Sequence, residues 1–237
     1  MDMLSDLRSE LQKKANSKKA KILAGFFKTG DGQYGYGDVF LGVSVPDSRK
    51  IAIGFRHLPS VDIKQLLASK IHEERLIALL ILVHNFSKGS EKERKIIFDY
   101  YIVHTKYINN WDLVDLSADK IVGGYLLDNP RNIIYKLAKS ENIWEKRISM
   151  IATHQFIKEK KEYKDTFAIA EILLHDKHDL IQKAVGWMLR EVGKRCSQEI
   201  EEEFLKKQYK KMPRTALRYA IERFPEPLRR DYLAGKV

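Results

Sequence analysis

The chain has 237 residues, 44% hydrophobic and 10% aromatic, with 43 Lys and Arg against 32 Asp and Glu and a formal net charge of +11. That composition excludes a disordered chain, and no apolar run approaches the roughly 18 residues that span a bilayer. The single cysteine, Cys196, excludes an internal disulfide, which fits a reducing cytoplasm.

The N-terminal "MDMLSDLRSELQKK" is charged and amphipathic and lacks the apolar centre of a signal peptide. A soluble, cytoplasmic protein is therefore expected. "KKAKILAGFFK" can supply a further N-terminal helix. "GDGQYGYGD" at 30–38 is glycine-rich, but no lysine follows at P-loop spacing, so a shaped loop is expected rather than a nucleotide cradle. "YGDVFLGVSV" reads equally as an extended segment or a loop.

From there helical periodicity dominates. "EERLIALLILVHNF", "EKERKIIFDYYIVH", "IWEKRISMIATHQFI", "TFAIAEILLH" and "LIQKAVGWMLREVGKR" carry apolar residues at i, i+3 and i+4. Short punctuators such as "SKGS", "DNPRN" and "KSEN" separate them. "HDKHD" at 175–179 offers His175, Asp176, His178 and Asp179, but matches no strong metal pattern and is expected to cap and turn. No metal or cofactor is expected. The C-terminal "KKQYKKMPRTALRYAIERF" is basic and amphipathic, suited to phosphates, to a membrane surface or to a solvated end cap.

Residues 131–237 hold 24 Lys and Arg against 16 Asp and Glu, a balance of +8. A basic half suggests a polyanionic partner, nucleic acid before an anionic membrane.

Arg75, Trp111, Arg147 and Lys183 recur at intervals of 36 residues, each near the start of a predicted helix. A helix pair fits each interval. The pattern predicts an all-α fold, a HEAT-like α-α repeat solenoid forming a curved superhelix. A single domain over 1–237 is expected, with N-terminal helices over about 1–45 and repeats over about 46–237.

The stretch "NNWDLVDLSADK" at 109–120 sharpens the functional question. Trp111 and Asp115 lie four apart and share a helix face. Asp112 suits a helix start, whereas Asp115 lies too far in for that role. In stacked repeats the anchor positions line one side, so Trp111, Asp115, Arg147, Lys183 and Trp187 are expected to face one groove. Cations for phosphates interleaved with aromatics suit a nucleic-acid surface. The plainer alternatives are a core tryptophan and a solvated carboxylate.

"NNWDLVDLSADKIVGGYL", "SENIWEKRISMIATHQFI" and "DLIQKAVGWMLREVGKR" resemble the AlkD-like DNA glycosylases of the DNA alkylation repair family. "FFKTGDGQYGYGDVFLGVSVPDSRKIA" is similar to that family's N-terminal region, and the resemblance runs from about Ala20 to Arg195. It implies HEAT-like repeats independently of the spacing. It places the family's Trp and Asp pair on Trp111 and Asp115, a second Trp on Trp187, an Arg on Arg147 and the N-terminal aromatic on Phe26. Some relatives lack the aromatic and acidic residues and bind DNA without excising bases; this chain keeps Trp111, Asp115 and Trp187.

The activity so implied is excision of cationic alkylated purines, 3-methyladenine and 7-methylguanine, from double-stranded DNA. Asp115 would stabilise the oxocarbenium-like sugar and position water, with Trp111 and Trp187 holding the cation. Arg147, Lys183 and Arg190 would hold phosphates. The resemblance also implies release of the base without flipping it into a pocket. A monomer with no membrane partner is expected. A non-catalytic scaffold binding damaged or branched DNA is the competing expectation.

Overall fold

The computed structural model describes residues 2–237. It is all-α: among the described residues there is no β-strand, and the segment read as extended or loop is loop, with one isolated parallel bridge from Val39 to Ile71. The chain divides into two compact units, the first ending at Ser117 and the second beginning at Ala118.

The first unit opens with α1 (Met3–Lys13), capped by Asp2 and burying Leu4, Leu7 and Leu11. That spacing puts the leucines on one stripe, each contributing roughly 1.5–3 kcal/mol by leaving water. α2 (Ser17–Phe26) is capped by Asn16 and buries none of its residues; Ile22 and Phe26 are exposed. The 30–38 loop follows. α3 (Val45–Gly54) starts on a Ser44 cap with proline in its first turn, and α4 (Ser60–Leu67) follows.

α5 (His72–Lys88) is the core of this unit and packs against α3, α4 and α6 (Glu91–Val103). It is buried on nearly every side, which explains why "LIALLIL" has no polar face. α6 begins with a reciprocal capping box between Ser90 and Glu93. A 3-10 turn at Thr105–Tyr107 leads to α7 (Trp111–Asp115), a single short helix with Asn110 as its cap.

In the second unit a π-helical turn over Asp119–Gly123 continues into α8 (Gly124–Leu126), followed by α9 (Asn132–Ala138). Both the π turn and α9 pack on α10 (Ile143–Lys160). α11 (Lys164–Leu173), α12 (Asp179–Arg195) and α13 (Gln198–Gln208) come next. α14 (Arg214–Ala220) lies against α12, and α15 (Glu226–Ala234) ends the unit. α12 and α14 approach closely at Gly186, where a Cβ would stand 2.3 Å from the Ala216 carbonyl oxygen. Only glycine fits there.

The four anchors fall near the starts of α5, α7, α10 and α12, as the spacing predicts. The outward orientation expected of the two arginines needs correction. Arg75 and Arg147 are only 3% and 5% exposed, because α5 and α10 are packed on several sides. Each guanidinium finds a partner inside: Arg75 donates to the Ser69 carbonyl at 2.8 Å, and Arg147 to the Leu180 carbonyl at 2.5 Å.

Candidate active site

The first turn of α5 reads His72-Glu73-Glu74-Arg75, and all four residues are buried. Burying four ionisable groups in succession is tolerable only if each finds partners, and each does so differently. Glu74 takes a two-pronged contact from Arg8 of α1, at 3.0 and 3.1 Å. Glu73 accepts the backbone N–H groups of Leu41, Gly42 and Val43, the closest at 2.8 Å. Gly42 has φ +84°, and a Cβ there would stand 2.2 Å from the Asn16 carbonyl oxygen. Glycine and Glu73 together therefore fix the 40–43 wall.

His72 is held at both ring nitrogens. Nε2 lies 2.8 Å from Asp112 Oδ2 and Nδ1 lies 3.1 Å from Asp38 Oδ2. Arg75 pairs with the other Asp38 oxygen at 2.7 Å, and Asn110 donates to Asp38 at 3.2 Å. Burial pushes the His72 pKa down, but the bonds to Asp112 and Asp38 outweigh it and hold it above the ordinary value. Burial pushes Asp38 up, and His72, Arg75 and Asn110 together hold it below its ordinary value. With His72 protonated, two carboxylates face two cations and the cluster is neutral.

An aromatic stack stands on this base. The His72 ring lies against Phe40 at 4.5 Å, Phe40 against Phe27 at 5.0 Å, and Phe27 against Trp111 at 5.0 Å. Phe26 meets Trp111 edge-on at 5.8 Å and stays 62% exposed. Beside the stack opens a cavity of about 530 Å³. Phe26, Phe27, Phe40 and Trp111 line it with Leu23, and Asp115 stands in its wall on the last turn of α7. Trp111 and Asp115 are both half-buried. The structure therefore brings Phe26, Trp111 and Asp115 to one cavity.

Phe27, Phe40, His72, Asp38 and Glu73 were not singled out from the sequence. Asp38 closes the glycine-rich loop and could have been flagged as a polar anchor there. Nothing local marks His72.

The other expected site residues belong to the second unit. Trp187 on α12 is half-buried, its ring 6.4 Å from that of His154. His154 stands between Asp119 at 3.5 Å and Glu191 at 3.7 Å. Burial pushes Asp119 up, yet His154 and Lys120 hold it below its ordinary value. Lys183 and Arg190 share the Trp187 side of α12 by spacing. Lys183 pairs with Asp179 at 2.8 Å, and Arg190 with Glu222. Arg147 is the buried residue already described. In "HDKHD", His178 caps α12 by accepting the Leu180 N–H at 3.2 Å, and Asp176 pairs with Lys146 at 2.9 Å.

A family model described as DNA alkylation repair enzyme matches residues 7–224. Among solved structures, the chain is similar to one described as a predicted DNA alkylation repair enzyme from Enterococcus faecalis. The two are 19% identical with a TM-score of 0.67, the match covering 90% of this chain and 98% of that one. At that identity the likeness speaks for the fold. No curated protein matches the sequence. The family match spans nearly the whole chain, so this protein belongs to the DNA alkylation repair enzyme family.

Proposed function

We propose that the chain is a DNA glycosylase that hydrolyses the N-glycosidic bond of cationic alkylated purines, 3-methyladenine and 7-methylguanine, in duplex DNA. One observation carries this reading: Asp115 stands in the wall of an aromatic-lined cavity, one helical turn from Trp111. Family membership supplies the substrate class in its coarse form.

Alkylation at N3 of adenine or N7 of guanine makes the ring cationic. When the C1′–N bond breaks, its electron pair returns to the ring and neutralises it, so the base leaves without needing an acid. The sugar is left as an oxocarbenium-like cation. A carboxylate at that point stabilises the developing charge and orients the water that adds to C1′. Asp115 takes both roles, and the water's proton passes to the carboxylate or to solvent. The Trp111 indole face adds roughly 0.5–2 kcal/mol of attraction for the sugar cation. Trp187 is proposed as a second aromatic contact. Lys183 and Arg190, which would exchange Asp179 and Glu222 for phosphates, supply salt-dependent affinity. Selectivity then rests on the base's own charge, and neutral lesions are poor substrates.

The test is release of 7-methylguanine and 3-methyladenine from methylated duplex DNA by the wild-type protein and by Asp115→Asn. Loss of about 10²–10³-fold in rate with duplex affinity retained is expected for a group of this kind. Tight binding by both proteins with release from neither would overturn the reading in favour of a binding scaffold.

A further inference from the structure

α7 is five residues long, far below the length at which a helix holds its own shape in water. It packs on α5, and its placement depends on what grips it. Two polar tethers do so at its N-terminal end. Asp112, its second residue, meets His72 Nε2 at 2.8 Å, and the Asn110 cap donates to Asp38 at 3.2 Å. Both tethers end on one cluster, because Asp38 also meets His72 Nδ1 at 3.1 Å. His72 is only 2% exposed and so is held by that cluster rather than by solvent. Trp111 and Asp115 flank Asp112 within the same short helix, so any rotation of α7 about Asp112 moves both.

Resting on the glycosylase reading above, we propose that His72 is a positioning residue for Asp115: by its hydrogen bond to Asp112 it fixes the angle at which α7 presents that carboxylate to the cavity. His72 does not touch the reacting atoms. The groups facing it are Asp112 from α7, Asp38 from the 30–38 loop, and Arg75 from its own helix, the last 3.4 Å from Nδ1. A protonated ring donates to both carboxylates at once, which a neutral ring cannot do. Its raised pKa agrees with that state.

Two substitutions of equal charge separate positioning from simple support. The Gln side-chain amide in His72→Gln reaches where Nε2 stands and keeps the bond to Asp112. The shorter amide in His72→Asn reaches where Nδ1 stands, keeping Asp38 and losing Asp112. The experiment measures single-turnover release of 7-methylguanine, duplex affinity, and the fluorine NMR line of 5-fluorotryptophan at Trp111, identified by its absence in Trp111→Phe.

His72→Gln is expected to hold its rate within an order of magnitude of wild type, and His72→Asn to lose about 100-fold, the cost of misplacing a catalytic group by about 1 Å. Affinity should be unchanged in both, and the Trp111 line should shift in His72→Asn only. Equal losses in the two variants, following their melting temperatures, would overturn the proposal, as would full activity in both. If His72→Asn does not fold, Asp112→Ala removes the same bond from the other side and must show the same rate loss and line shift. If the wild-type protein releases no base, the glycosylase reading falls. The Trp111 line then decides by itself whether His72 sets the position of α7.

Discussion

Phe27 and Trp111 lie face to face, ring centroids 5.0 Å apart and planes 14° from parallel. Phe27 ends α2 as its cap residue and Trp111 begins α7, so one contact joins the N-terminal helices to the short helix bearing Asp115. Phe27 is 6% exposed and also lies against Phe40.

Phe27→Ala is therefore expected to destabilise the protein by about 3–5 kcal/mol, the usual cost of emptying a buried aromatic site. Urea unfolding followed by circular dichroism measures it. A loss below about 1 kcal/mol would mean that the site collapses and the stack is dispensable.

The His72 cluster gives stability a defined pH dependence. The folded pKa of His72 is raised, chiefly against burial by its bonds to Asp112 and Asp38. Its contribution is complete below the ordinary histidine value of about 6.5 and is lost as pH rises through the folded value. Asp38 has a lowered folded pKa, with His72 and Arg75 overcoming burial. Its contribution is present above its ordinary value and is lost as pH falls through the folded one. The cluster therefore supports the fold best in mildly acidic to neutral solution. Urea midpoints taken across pH should show an alkaline decline that is reduced in His72→Gln; an unchanged decline would remove His72 as its source.

Glu201 on α13 carries an opposing cost. It is 2% exposed, one of its carboxylate oxygens has no hydrogen-bond partner, and burial pushes its pKa up to about 9 despite nearby Arg190. The folded protein thus holds a proton that the unfolded chain releases, and stability falls as pH rises from the ordinary carboxylate range to about 9. Glu201→Gln keeps the shape without the ionisation. It is expected to stabilise the protein at pH 7 by on the order of 3 kcal/mol and to flatten this part of the pH dependence. A destabilised Glu201→Gln protein would show instead that the carboxylate is ionised and paired in the fold.

Much of the candidate site is local in origin and was legible for that reason. Apolar spacing marks α5, α10 and α12, and the four-residue interval puts Trp111 and Asp115 in one helix. The Phe26 assignment came from resemblance alone, and the chain brings that ring to 5.8 Å from Trp111. The "HDKHD" turn was readable because a cap acts on its own next residues.

Periodicity says which residues share a helix face, and residue type says what chemistry each can do; those are properties of neighbouring residues, and the sequence by itself determined them. The burial of His72, Glu73, Glu74 and Arg75 was decided only by the tertiary structure, because charged residues at a helix start ordinarily face water. Their partners, Asp112, the Leu41–Val43 backbone, Arg8 and Asp38, come from three other segments of the chain. Packing likewise turned Arg75 and Arg147 inward, since a guanidinium that finds a carbonyl or carboxylate inside need not reach solvent. A buried ionic cluster exists only where distant segments meet, and no local pattern records that meeting.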